Sequence, residues 1–94
     1  MTESAKSTVF IDNERTRVTE WRFAPGAATG WHRHEYDYVV IPIMDGRLKL
    51  IAEGGEAAFA ELKAGQPYFR NEGVEHDVIN DGEGEYAFIE VEFK

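Results

Sequence analysis

The stretches GAATGWHRHEYDY (Gly26–Tyr38) and GQPYFRNEGVEHDVIN (Gly65–Asn80) hold all three histidines of the chain. The first reads Gly26-x5-His32-x-His34, and the second Gly65-x7-Gly73-x2-His76-x3-Asn80. Successive side chains on a β-strand alternate faces, so His32 and His34 point the same way and Arg33 points the other. Two imidazoles placed like this can converge on one ion. An HxH pair alone equally fits a solvated or hydrogen-bonded pair on an exposed strand. His76 follows a glycine turn and shares a face with Val78 and Asn80, and an antiparallel barrel can bring that strand opposite His32 and His34. Neutral imidazole is the commonest protein ligand for Zn, Fe, Ni and Cu. The spacing therefore predicts one metal centre built from His32, His34 and His76.

Outward from the histidines, short apolar stretches alternate with turn signals. The expected strands are Thr8–Asp12, Arg17–Phe23, Gly30–His34, Asp37–Met44, Arg47–Ala52, Ala57–Leu62, Gln66–Arg70, Glu75–Asn80 and Tyr86–Phe93. Between them stand Ala24-Pro25-Gly26, Asp45-Gly46, Gly54-Gly55, Ala64-Gly65, Asn71-Glu72-Gly73 and Asp81-Gly82-Glu83-Gly84. Gly beside Asp or Asn is the chemistry of tight turns. No segment keeps an apolar stripe at helical spacing over ten residues. Many short strands at regular spacing predict an all-β sandwich or antiparallel barrel. Residues 9–94 read as a single domain, and the polar residues 1–8 as a loose arm, or as an edge strand if a partner captures it.

Composition narrows the function classes. The chain has 94 residues, 43% of them apolar, with 2 Trp, 4 Tyr and 6 Phe, enough to bury a core. It has no cysteine, so neither a disulfide nor a thiolate ligand is available. The net charge of −8 argues against a nucleic-acid partner, which needs a basic footprint, and against an anionic membrane surface. No apolar run approaches a membrane span, and MTESAKST lacks the apolar core of a secretory signal, so the expected location is the cytoplasm.

The two motifs resemble the paired signatures of the cupin superfamily. Gly26, His32, His34 and Gly46 fit the first signature, and Gly65, Gly73, His76 and Asn80 the second. The resemblance spans about residues 25–80 and implies a small antiparallel β-barrel of jelly-roll type, with a metal in its mouth, commonly dimeric. Within the superfamily, GWHRHEYDYVVIP is most similar to compact proteins linked to β-alanine degradation. Two departures stand out. The family's glutamate ligand falls at Tyr38 or Val39, with the spacing to Gly46 favouring Val39, and neither is a carboxylate. Asn71 replaces the proline that the second signature often carries. The implied centre is therefore three histidines and one divalent transition metal (Fe, Zn, Mn or Ni), with positions open to water or substrate.

Strand parity puts Tyr38 inside the barrel, where it is either a phenol near the metal and a candidate catalytic residue, or a core aromatic with its hydroxyl tied up. Asp37 reads as a second acceptor for a histidine N–H or as a solvated carboxylate. Arg22 and Arg70 are candidates to clamp a substrate carboxylate. Trp21, Phe23, Trp31, Phe59, Phe69, Phe88 and Phe93 read as core or rim aromatics. Glu90 and Glu92 alternate with Ile89, Val91 and Phe93, and are expected to face solvent or a subunit interface. The leading expectation is a metal-dependent enzyme, of oxidoreductase or of isomerase/lyase type, acting on a small polar, carboxylate-type metabolite as a homodimer. The alternatives are a non-catalytic cupin that binds or senses a small ligand, and a dimeric scaffold with a structural metal.

Overall fold

A computed structural model describes residues 3–94 and arranges them as nine strands in two antiparallel sheets. The strands are β1 (Lys6–Asp12), β2 (Thr16–Phe23), β3 (His32–Arg33), β4 (Asp37–Pro42), β5 (Gly46–Ile51), β6 (Ala57–Leu62), β7 (Tyr68–Arg70), β8 (Glu75–Asn80) and β9 (Tyr86–Phe93). One sheet runs β1-β2-β9-β4-β7 and the other β3-β8-β5-β6. This is the expected all-β jelly roll. The one helical element among the described residues is a 3-10 turn at Glu53–Gly55, and no helix is long and apolar enough to cross a membrane.

Local chemistry moves several boundaries. β3 is shorter than the expected Gly30–His34 because Gly30 turns the chain at φ 85°, with its N–H donated to Asp77 Oδ1 at 3.0 Å. His34 stays in register beyond β3, since its N–H donates to the Val74 carbonyl and its own carbonyl accepts from Gly73 N–H. β7 starts at Tyr68 instead of Gln66, just after Pro67, which has no N–H for a ladder. β1 begins at Lys6, earlier than the expected Thr8, and lies at an edge with every residue exposed. Met1 and Thr2, the first residues of the expected arm, lie outside the described residues.

The core fills one end of the space between the sheets. Phe23 meets Phe88 at 5.6 Å and Tyr86 at 6.4 Å between ring centroids, with Leu48, Leu62 and Val78 packed around them. Two motif residues support this end. A Cβ on Gly46 would run into the Tyr86 ring, so only glycine lets β5 pass there. Asn80 is buried and its amide Nδ2 donates to the carbonyls of Phe23, Ala24 and Gly84, while Oδ1 accepts from Gly82 N–H. That one side chain joins β8 to the turns that follow β2 and precede β9.

The expectation for Glu90 and Glu92 is corrected by β9. Both carboxylates point between the sheets, at 8% and 7% exposure. Tyr86 and Phe88 fix the inward parity of the strand, and β9 pairs with β2 and β4 without a bulge, so every second residue thereafter also points in. Ile89, Val91 and Phe93 consequently occupy the outer face. Phe69 also faces out, and Trp31 and Phe59 are exposed.

Candidate metal centre

The three imidazoles meet at the other end of the barrel. β3 and β8 are neighbours in the four-stranded sheet, and His32 is paired directly with His76. Gly73, at φ 92°, makes the turn that feeds β8 and sets His76 in that register. His34 Nε2 lies 3.1 Å from His32 Nε2 and 3.1 Å from His76 Nε2. The ring planes are steeply inclined, at 70–84°. These atoms form a group that could hold a metal ion.

The donor chemistry fits. With metal–nitrogen bonds of about 2.0–2.1 Å, two ligands at right angles lie about 3 Å apart. His32 Nδ1 sits 2.9 Å from the Gly30 carbonyl and 3.2 Å from Thr29 Oγ1. Donation from Nδ1 to that carbonyl leaves the Nε2 lone pair facing the cluster. Burial, with the His32 charge adding to it, lowers His34 to about 4. Burial again dominates at His76, also lowered to about 4, with smaller effects from His32, His34 and Arg70. Both rings are therefore neutral at pH 7, the protonation state a ligand needs.

The five-stranded sheet supplies the facing wall of a cavity of about 670 Å³. Tyr38 points inward and its ring stacks on His34, with 3.8 Å between centroids and 13° between planes. Burial raises its phenol well above the usual range, so it remains protonated. Val39, the position in register with the family's glutamate, has the opposite parity and faces out. Glu90 is raised to about 7, chiefly by burial and next by the Glu92 charge, while Trp21 and Arg17 pull the other way. Its Oε1 is 3.9 Å from His34 Nδ1, beyond direct hydrogen-bond reach. Glu92 is held by Arg17, from Nε at 2.9 Å and Nη2 at 3.2 Å.

Other candidates lie away from the cluster. Asp37 Oδ1 accepts the Glu72 N–H at 2.8 Å and ties down the turn before β8 without reaching a histidine. Arg22 binds Glu20 and Glu85, both at 2.8 Å, and does not line the cavity. Arg70 does line it. Sequence reasoning missed Glu90, Glu92, Arg17 and Tyr68 as cavity residues. The signal for the glutamates was present in the inward parity of Tyr86 and Phe88.

A barrel of two antiparallel sheets with three histidines at its mouth defines a class, and the cupin domain model matches residues 19–92. The chain belongs to the cupin family. It is 56% identical over 90 residues to the β-alanine degradation protein BauB of Pseudomonas aeruginosa, covering 96% of this chain and 94% of that protein. A cupin domain of Bordetella pertussis Tohama I is 51% identical, with a TM-score of 0.95 over 100% of this chain and 97% of that one. A double-stranded β-helix protein of Klebsiella pneumoniae shares the fold at 22% identity, with a TM-score of 0.75 over 94% of this chain and 75% of that one.

Proposed function

We propose that this cupin holds one divalent transition metal on His32, His34 and His76 and acts through it on a small polar metabolite of carboxylate type. The observation that carries the reading is the 3.1 Å convergence of three imidazole Nε2 atoms at the wall of a cavity large enough for such a molecule. Fe, Zn, Mn and Ni all suit a three-imidazole donor set. When bound, the ion supplies Lewis acidity toward a substrate oxygen and, if it is iron, redox chemistry with dioxygen.

The chain's own residues do the rest. The Gly30 carbonyl holds the His32 tautomer, and Tyr38 fixes the plane of His34 by stacking. Val40, Leu48, Leu50 and Phe88 make part of the cavity wall apolar and limit water around a bound molecule. Glu90, titrating near neutrality inside the cavity, can hold or release a proton beside a substrate. The name of the β-alanine degradation relative supports a short carboxylate as the substrate class.

Elemental analysis of protein purified without a histidine tag tests the centre. Close to one transition metal per chain is expected, lost in His34→Ala. Full metal content in that variant would overturn the three-histidine reading. A second reading, ligand capture without turnover, is favoured by one observation: Tyr38 occupies the interior beside His34, so no anionic side chain stands among the donors. Turnover separates the two. Oxygen uptake by the Fe(II) form with thiols, diketones or small acids supports the dioxygenase branch of the enzyme reading.

The working unit we propose is a homodimer. Ile11, Val18, Val91, Val39 and Phe69 are paired in succession across all five strands on the outer face of the larger sheet. An uninterrupted apolar row on an outer face is the mark of a covered surface, and closed twofold pairs are the commonest soluble assembly.

A further inference from the structure

We propose that Arg70 is the anion anchor of the cavity, holding the carboxylate of a bound metabolite beside the three imidazoles. The inference rests on the reading that this cavity takes a small polar molecule, and it names the group that recognises the charge.

Strand register sets up the argument. Arg70 on β7 is paired with Tyr38 on β4, Tyr38 with Glu92 on β9, and Glu92 with Arg17 on β2. Directly opposed residues share a face, with Cβ atoms about 4.5–5.5 Å apart. The four side chains therefore form one line across the inner wall of the five-stranded sheet. That line holds two guanidinium groups and one carboxylate. Arg17 takes both carboxylate oxygens of Glu92, and nothing in the row is left to neutralise Arg70.

Among the described residues, no carboxylate approaches Arg70 within ion-pair distance. Its guanidinium lies over the Tyr68 ring, 4.6 Å from the centroid, and Nη1 donates to the Phe69 carbonyl at 2.9 Å. A guanidinium has five N–H donors, so most remain free for a ligand. The Tyr68 ring beneath it and the Phe69 carbonyl hold the planar fork in place, and such a fork favours bidentate capture of a carboxylate. Of the two other arginines that line the cavity, Arg17 is taken by Glu92 and Arg33 leans toward Glu75 at 3.7 Å. The chain as a whole is acidic, at −8, and repels anions at long range. Selecting an anion therefore requires a local unneutralised cation, and Arg70 is placed to be one. Arg70 is paired with Tyr38, whose ring stacks on His34, and all three line the same cavity.

The test compares propionate with uncharged propionamide by amide-shift NMR titration of the full chain, metal-free and metal-loaded. Wild type, Arg70→Gln, Arg70→Lys and Arg22→Gln are measured, with circular dichroism to verify the fold. Wild type should bind propionate and not propionamide. Arg70→Gln should weaken propionate about tenfold or more, Arg70→Lys should recover part of the loss, and Arg22→Gln should match wild type. Propionate binding that survives Arg70→Gln, equal loss in Arg22→Gln, or absence of propionate binding in every form would overturn the proposal. Arg70-dependent binding by a protein that retains no metal would support the anchor and overturn the metal reading. One metal per chain with Arg70-independent binding would do the reverse.

Discussion

The two sheets contribute opposite chemistry to one cavity. The four-stranded sheet and its extension through His34 bring three imidazoles together, held by a backbone carbonyl and by strand register. The five-stranded sheet brings charge: Arg17, Glu92, Glu90 and Arg70, with Tyr38 standing between the two sets. At the cavity end of β9 the usual polarity is inverted, with Glu90 and Glu92 inside and Ile89 and Val91 outside. The contrast separates two tasks. One wall gathers donors that could hold an ion, and the other carries charged side chains into the cavity.

Substitutions on the two walls should therefore have unlike effects. The largest is expected from His76→Leu, which removes a donor and should weaken metal binding by more than the roughly 10–100-fold typical of a supporting partner. Competition against a chromophoric chelator gives the affinity. Glu92→Gln on the facing wall should keep one metal per chain. Equal losses from both would erase the division of labour between the sheets.

Where the sheets meet, the contrast becomes a packing constraint. Gly46→Ala pushes a methyl from β5 against the Tyr86 ring of β9 and should cost about 1–3 kcal/mol, read as a lower urea midpoint. Asn80→Ala removes donors from three carbonyls at the same end, and a loss of about 1–3 kcal/mol is expected. Both variants should still bind metal if the core end and the histidine end are separate in function. Loss of metal without loss of stability in either one would show that the two ends are coupled.

Legibility in the sequence follows the same division. The four-stranded side could be read because its signals are local: HxH on a strand, a glycine turn before His76, glycine and asparagine at fixed offsets. Nine strands are expected and nine are found among the described residues, since turn chemistry marks boundaries well and falters mainly where Gly30 and Pro67 interrupt a ladder. The charged wall is hidden because it is assembled by register among β2, β4, β7 and β9, where Arg17 meets Glu92 across 75 residues of sequence. Alternation with Ile89, Val91 and Phe93 points Glu90 and Glu92 outward when β9 is read by itself. Counting parity from Tyr86 and Phe88 would have turned them inward. Tyr38 could be placed inside by parity from His34, but its stacking on that ring depends on side-chain packing that no local pattern encodes.

The outer face of the charged sheet offers a gentler test. Val91→Lys sets a charge in the middle of the apolar row and points away from the cavity. Wild type should sediment as a dimer and the variant as a monomer, with metal content unchanged. A monomeric wild type would mean the row is covered by something other than a second copy.

The smallest effect belongs to the seam between the edge strand and the chain end. Lys94 Nζ donates to Asp12 Oδ1 at 2.5 Å, and Lys94 N–H donates to the Arg15 carbonyl, so the end of the chain is fastened to β1 and the turn after it. The hydrogen bond from Lys94 holds the Asp12 carboxyl below its usual range. A carboxyl lowered in the folded state stabilises the fold above its unfolded value and loses that contribution as pH falls through the lowered one. Asp12→Asn should therefore melt slightly below wild type at pH 7, and the gap should close below about pH 4 as the wild-type carboxyl protonates. Because the pair faces water, added salt should narrow the gap as well. A gap that persisted in acid would place the contribution of Asp12 in strand geometry, making the edge of the charged sheet a matter of backbone pairing alone.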